Sequence, residues 1–186
     1  MDVSLVKQGQ DSLIGWASAG LLLAAVAGAE AGGLSLESSG ARFGAGASSS
    51  NQDFHQAEAF VDWNLPWGWD LGKKWNLQSR LDVSAGWMGN NHSGGAVGTP
   101  AAILALGHEG IPISIEGGSG PTFISRWEFD TKDFGDPVQF TSHIGLYWDL
   151  AKHWRLGYRF QHMSNASISE SNPGLNLHVV AFGYRF

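Results

Sequence analysis

Trp154-Arg155-Leu156-Gly157-Tyr158-Arg159-Phe160-Gln161-His162-Met163-Ser164 alternates for its whole length between two kinds of side chain, and this alternation decides the fold. Successive side chains of a strand point to opposite faces. Trp154, Leu156, Tyr158 and Phe160 therefore share one face with His162 and Ser164, while Arg155, Gly157, Arg159 and Gln161 share the other. Residues two apart on a strand lie roughly 6.5 Å apart and project the same way, so His162 and Ser164 are able to meet. In a water-soluble protein the apolar face would be the core. Here the chain ends on a second such stripe, Val180, Phe182, Tyr184 and Phe186, and closes on an aromatic residue. Outward apolar stripes with polar residues between them are the pattern of transmembrane β-barrels.

The same period of two recurs upstream. Trp75, Leu77, Leu81, Val83, Ala85 and Trp87 alternate with Asn76, Gln78, Arg80, Asp82 and Ser84, and only Ser79 interrupts the apolar side. Ala57, Ala59, Val61, Trp63 and Leu65 form another stripe, as do Phe140, Ile144, Leu146 and Trp148. Weaker strands run over Leu34 to Ala47, Thr99 to His108 and Ile111 to Phe123. With the two C-terminal strands these make eight, and the expected fold is all-β, an eight-stranded antiparallel up-and-down transmembrane β-barrel. With both ends in the periplasm, the external connections are Ser48 to Asp53, Gly89 to Gly98, Ile124 to Pro137 and Ser167 to Gly174. The inner ones are Pro66 to Lys74, Gly107 to Gly110 and Leu150 to His153, the first longer than such turns usually are. Trp63, Trp67, Trp69, Trp75, Trp148 and Trp154 are placed as an aromatic girdle at the inner interface. Glu58, Asp62, Arg80, Asp82, Glu116, His143, Arg155, Arg159 and Arg185 fall on the lumen side. Eight strands leave room only for side chains, which argues against a pore. A soluble ligand carrier would need the inverted pattern, and the terminal Phe186 and Trp-rich strand ends oppose it.

Composition agrees. The 186 residues include 26 Gly, 9 Trp and 10 Phe, with 15% charged residues, which fits one domain and excludes a helical membrane bundle. The one long apolar segment, Leu13 to Ala29, follows Lys7 and precedes two A-x-A patterns, Ala27-Gly28-Ala29 and Ala29-Glu30-Ala31. It reads as a signal peptide over 1–31, cleaved near Ala29 or Ala31, with the barrel over 32–186. As a membrane anchor it is short and diluted by Gly15, Ser18 and Gly20. Zero cysteines exclude disulfides and thiolate chemistry. A net charge of -6 with scattered basic residues offers nucleic acid no surface. Gly117-Gly118-Ser119-Gly120-Pro121 lacks the last glycine of a nucleophile elbow, and His108-Glu109 lacks the second His of a zincin. No metal site and no cofactor site emerge.

His162 and Ser164 fall near the external rim, on the lipid side. An imidazole and a hydroxyl in hydrocarbon cost free energy unless they pair, and a paired Ser and His is the minimal activated nucleophile. A structural or adhesive barrel in which the two merely hydrogen-bond is the alternative.

His162-Met163-Ser164-Asn165-Ala166, followed by Asn172-Pro173-Gly174 and the final aromatic strand, resembles the signature of the PagL lipid A 3-O-deacylases of Gram-negative outer membranes. The resemblance is strong over roughly the last fifty residues, extends to Asp133-Phe134-Gly135 and Gly120-Pro121 just upstream, and is faint before that. It implies a serine esterase on the outer surface of the barrel, hydrolysing the ester of the hydroxyacyl chain at position 3 of lipid A without a cofactor. By that resemblance Ser164 is the nucleophile and His162 the general base. The third position falls on Asn176, where a family member carries Glu. An Asn can hold an imidazole but brings no negative charge. Glu170, in the loop, is the alternative acid. The oxyanion donors implied are Asn172 and backbone N–H groups after Ser164, with Asn165 supporting the loop. The partners implied are lipopolysaccharide and outer-membrane lipid, with a homodimer left open. An acyltransferase would use the same Ser chemistry with an acceptor other than water.

Overall fold

The computed structural model describes residues 33–186 apart from Gln52 and Thr131, so the expected signal segment lies outside the described residues. The strands are β1 (Ser35–Gly46), β2 (His55–Gly72), β3 (Trp75–Gly89), β4 (Gly94–His108), β5 (Ile111–Ile124), β6 (Glu128–Phe129), β7 (Lys132–Asp133), β8 (Val138–Asp149), β9 (Trp154–Ser164) and β10 (Leu175–Arg185). β6 and β7 are a small hairpin in the connection between β5 and β8. The other eight pair antiparallel with their chain neighbours and close into a barrel through β1 and β10, from Ser38↔Arg185 to Gly46↔Leu177. Closure leaves no unpaired edge, which a sheet in hydrocarbon requires.

Alternation sets the two surfaces. On β9 the exposed residues are Trp154, Leu156, Tyr158, Phe160 and His162, and the buried ones are Arg155, Gly157, Arg159, Gln161 and Met163. Buried charges need partners, and the lumen supplies them. Arg80 and Arg155 both donate to Glu116 Oε1 at 2.6 Å, Arg42 pairs with Asp82, and Arg159 reaches Glu58 at 3.7 Å. The expected polar filling stops short of the external mouth. There Met88, Val97, Ile124, Met163, Leu175, Leu177 and Val179 form an apolar plug capped by Phe54, Phe129 and Phe134 from the loops. The three rings meet edge-on, with centroids 5.1, 5.7 and 5.9 Å apart. A lid of apolar loop residues needs apolar residues beneath it, which explains the change in lumen chemistry.

The long inner turn expected over Pro66 to Lys74 is instead mostly strand. β2 runs on to Gly72, and a two-residue turn at Lys73 and Lys74, both at positive φ, leads into β3. That geometry suits a tight hairpin. The ladder breaks between Asn64 and Gly68, where Pro66 has no N–H to offer. Ser79 Oγ donates to Trp67 O at 2.5 Å and Gln78 Nε2 to Leu65 O at 2.7 Å across this bulge. Ser79, the interruption in the apolar stripe of β3, is thus the residue that satisfies a carbonyl the bulge orphans. Trp67, Trp69, Trp75, Trp148 and Trp154 are exposed as a girdle requires; Trp63 is not, being only 4% exposed beneath Leu34, Leu36, Leu81, Val83 and Ala85. The external connection expected over Gly89 to Gly98 shrinks to residues 90–93, because the glycine-rich start of β4 pairs with β3.

Candidate active site

β9 and β10 build the site at the external end of the barrel. Their register sets Asn176 opposite His162, and both project outward. His162 Nδ1 and Asn176 Oδ1 are 2.7 Å apart. An amide oxygen only accepts, so Nδ1 carries the ring proton and Nε2 keeps its lone pair. Ser164, half-buried, follows two residues later on the same face. Its Oγ forms no hydrogen bond among the described residues. The imidazole's polar partner is therefore Asn176 and not Ser164, and the hydroxyl is left free at the rim.

Past Ser164 the chain makes a compact loop. Asn165 is fully buried, with Nδ2 within 3.0 Å of Phe134 O and 2.6 Å of Ser171 O, while its Oδ1 accepts from Ser167 N at 2.9 Å. Ala166 and Ser167 both take positive φ, a conformation L-residues adopt only when surrounding contacts enforce it. Asn172 Oδ1 accepts the Asn165 backbone N–H at 3.2 Å. That N–H, one of the expected oxyanion donors, is thus occupied, and the donor Asn172 retains is its own Nδ2. Gly174, at φ +62°, passes close to the imidazole: a Cβ placed there would lie 3.2 Å from His162 Cε1 and 4.0 Å from Nε2. Glycine serves both the backbone angle and the space beside the basic nitrogen.

Glu170 is exposed and makes no ion pair or hydrogen bond among the described residues. The described residues contain no group of three or more His, Asp or Glu suited to a metal ion.

The family profile described as Lipid A 3-O-deacylase (PagL) matches residues 55–185. A lipid A deacylase PagL from Bordetella bronchiseptica is 33% identical over 138 residues, covering 71% of this chain and 78% of that one. The chain belongs to the PagL family of lipid A 3-O-deacylases. In fold it matches a crystal structure of the outer membrane enzyme PagL with a TM-score of 0.68, at 20% identity, over 78% of this chain and 97% of that one.

Within this PagL fold one participant has no counterpart in the sequence reading. Lys132 of β7 is buried, and its ammonium donates to Gly174 O at 2.8 Å and to Asn51 Oδ1, with the Phe54 ring 6.0 Å away. Three external connections meet on one cation, and one of them is the segment against His162. Burial pushes the Lys132 pKa below its usual value. A lone Lys between Asp130 and Asp133 reads in sequence as a solvated loop charge, so no local signal marks it.

Proposed function

We propose that this chain hydrolyses the ester at position 3 of lipid A in the outer leaflet, with Ser164 as nucleophile, His162 as general base and Asn176 as the group that orients the base. The observation that carries the reading is the 2.7 Å contact between His162 Nδ1 and Asn176 Oδ1, on the lipid face and two residues from a free serine hydroxyl. With Nδ1 protonated, Nε2 takes the Ser164 proton as Oγ attacks the acyl carbonyl. The developing oxyanion faces the loop, where Asn172 Nδ2 is a side-chain donor with no partner among the described residues; such donors are worth about 3–4 kcal/mol when aimed at the transition state. Collapse breaks the ester C–O bond, the imidazolium returns its proton to the sugar oxygen, and an acyl-serine remains. Water, deprotonated by the same Nε2, attacks the acyl-serine and releases the fatty acid. All these groups come from β9, β10 and the loop that joins them, so the reaction needs no second subunit. Asn176 gives the imidazolium no counter-charge, which makes this an orienting partner without electrostatic assistance. We also read residues 1–31 as an export signal that delivers the barrel to the outer membrane.

An alkyl fluorophosphonate tests the assignment on purified barrel in detergent. Ser164 should gain the phosphonate mass in the wild-type protein, and His162→Ala should label far more slowly. A label on any other residue, or none on Ser164, contradicts the reading.

A further inference from the structure

The outer surface of β5 and β8 is almost wholly apolar. Ile113, Ile115 and Phe123 stand exposed on β5, and Phe140, Ile144, Leu146 and Trp148 on β8. One polar feature breaks this field: the exposed hydroxyls of Ser119 and Ser142, with Oγ atoms 2.9 Å apart. Register ties the pair to the site. Ser142 is the cross-strand partner of His162, and Ser119 is the partner of Ser142. Asn176, His162, Ser142 and Ser119 thus form one continuous row of cross-strand partners over four strands.

The row lies in a step between large side chains. Phe140 stands on its external side, Ile144 on the other, and Gly117, the partner of Ile144, leaves the surface open beneath Ser119. Two hydroxyls carry two O–H donors, and their mutual hydrogen bond uses one. The other donor has no partner among the described residues. In hydrocarbon an unpaired O–H is costly, so a lipid-facing hydroxyl pair calls for a polar group brought by a lipid.

We propose that Ser119 and Ser142 form a specificity subsite that reads the hydroxyl on the β-carbon of the departing acyl chain, so that 3-hydroxyacyl esters are preferred over plain acyl esters. This rests on Ser164 being the nucleophile. Ser142 lies diagonally across from Ser164, about 7–8 Å between Cα atoms for such neighbours, and two residue pairs further along the ladder from the external end. That is the direction an acyl chain takes as it leaves the rim for the bilayer. With the carbonyl carbon on Ser164 Oγ, the β-carbon hydroxyl is two carbons further along this path. It accepts from the spare serine O–H and donates to a serine oxygen.

The test is kcat/KM on two synthetic glucosamine lipids that differ only in the β-hydroxyl of the 3-O-acyl chain. Wild type should favour the hydroxylated lipid by roughly tenfold, the value of one well-placed hydrogen bond. Ser119→Ala with Ser142→Ala should bring the two lipids to parity by slowing only the hydroxylated one, and each single variant should fall between. These substitutions make a lipid-facing surface more apolar, and retained heat-modifiable mobility on gels checks the barrel. An unchanged ratio in the double variant, or an equal decline on both lipids, overturns the subsite. Ser164→Ala is assayed in parallel. If it is inactive on both lipids while the ratio ignores Ser119 and Ser142, only the subsite falls; if it still turns over, the nucleophile assignment falls and the subsite with it.

Discussion

Asn176 is where the account is most exposed, because an amide stands at a position that favours a carboxylate chemically. Asn176→Ala removes the oxygen 2.7 Å from His162 Nδ1 and nothing else in the site, since the other groups belong to β9 and the loop. The lost bond joins two neutral groups and is worth about 1 kcal/mol, a roughly fivefold effect on kcat if orientation alone suffers. The ring is also released to take the Nε2–H tautomer, which has no lone pair facing the serine. In a charged triad the wrong tautomer costs about 10⁴-fold, an upper limit here. A fall in kcat of about 10- to 100-fold is expected, with little change in KM. Asn176→Asp keeps the oxygen in place and adds a charge. Each unit by which the carboxylate raises the His pKa corresponds to about 1.4 kcal/mol of imidazolium stabilisation. kcat at pH 8 should therefore rise by roughly tenfold. A raised pKa keeps the base protonated to higher pH, so the acid limb of the kcat profile should move up in pH. The assay is fatty-acid release from a 3-acylated lipid A in detergent, from pH 5 to 9, with wild type and both variants. Asn176→Ala as fast as wild type would refute the orienting role, and Glu170→Ala inactive in the same assay would transfer it to the loop carboxylate.

Four further outcomes rest on the same geometry. Gly174→Ala combines a left-handed backbone, costing about 1–2 kcal/mol, with a methyl 3.2 Å from His162 Cε1, so turnover should drop at least tenfold while the barrel still folds; unchanged kcat would show that Gly174 does not limit the space beside Nε2. Lys132→Met leaves Gly174 O and Asn51 Oδ1 buried without their cation, at about 1–3 kcal/mol each, and should lower kcat several-fold and speed proteolysis of the 165–174 loop. Because burial lowers the folded-state pKa of Lys132, its cost is greatest while the amine is charged and lifts as pH rises toward the unfolded value near 10.4; protease protection of that loop should increase from pH 7 to 10, and a decrease contradicts the buried-cation description. Glu116→Gln removes the carboxylate shared by Arg80 and Arg155 and leaves them the longer pairs to Glu37 at 3.3 Å and Asp149 at 3.4 Å; it should cost about 1.5–3 kcal/mol, read as a lower temperature for the heat-modified gel band with kcat at 25 °C unchanged.

The barrel was legible in the chain because alternation is a local signal with a global meaning. Once Trp154 to Ser164 and Val180 to Phe186 are read as strands with apolar outer faces, the facing of His162, Ser164 and Asn176 follows from parity, and the structure agrees at each. What escaped the reading depends on contacts between distant segments. The continuation of β2 past Pro66 rests on Gln78 and Ser79 donating across a bulge, and a side-chain repair from the next strand has no period. Trp63 carries the girdle's residue type but is covered by β1 and β3. The glycine-rich start of β4 gives no hydrophobic signal, although its backbone pairs normally. The apolar plug assembles Phe54, Phe129 and Phe134 from two loops over the inner residues of several strands. Lys132 belongs with these, since its role exists only when Asn51 and Gly174 arrive beside it.

The most direct test of the central claim is mass spectrometry of lipid A from Gram-negative cells expressing the full chain. With the wild-type protein, lipid A should lose the mass of one hydroxyacyl group, and that acid should appear free in the membrane fraction. With Ser164→Ala, inserted at the same level, the lipid A spectrum should match that of cells without the protein. A wild-type spectrum with no loss, a gain of one acyl mass, or the same loss from Ser164→Ala would contradict the account.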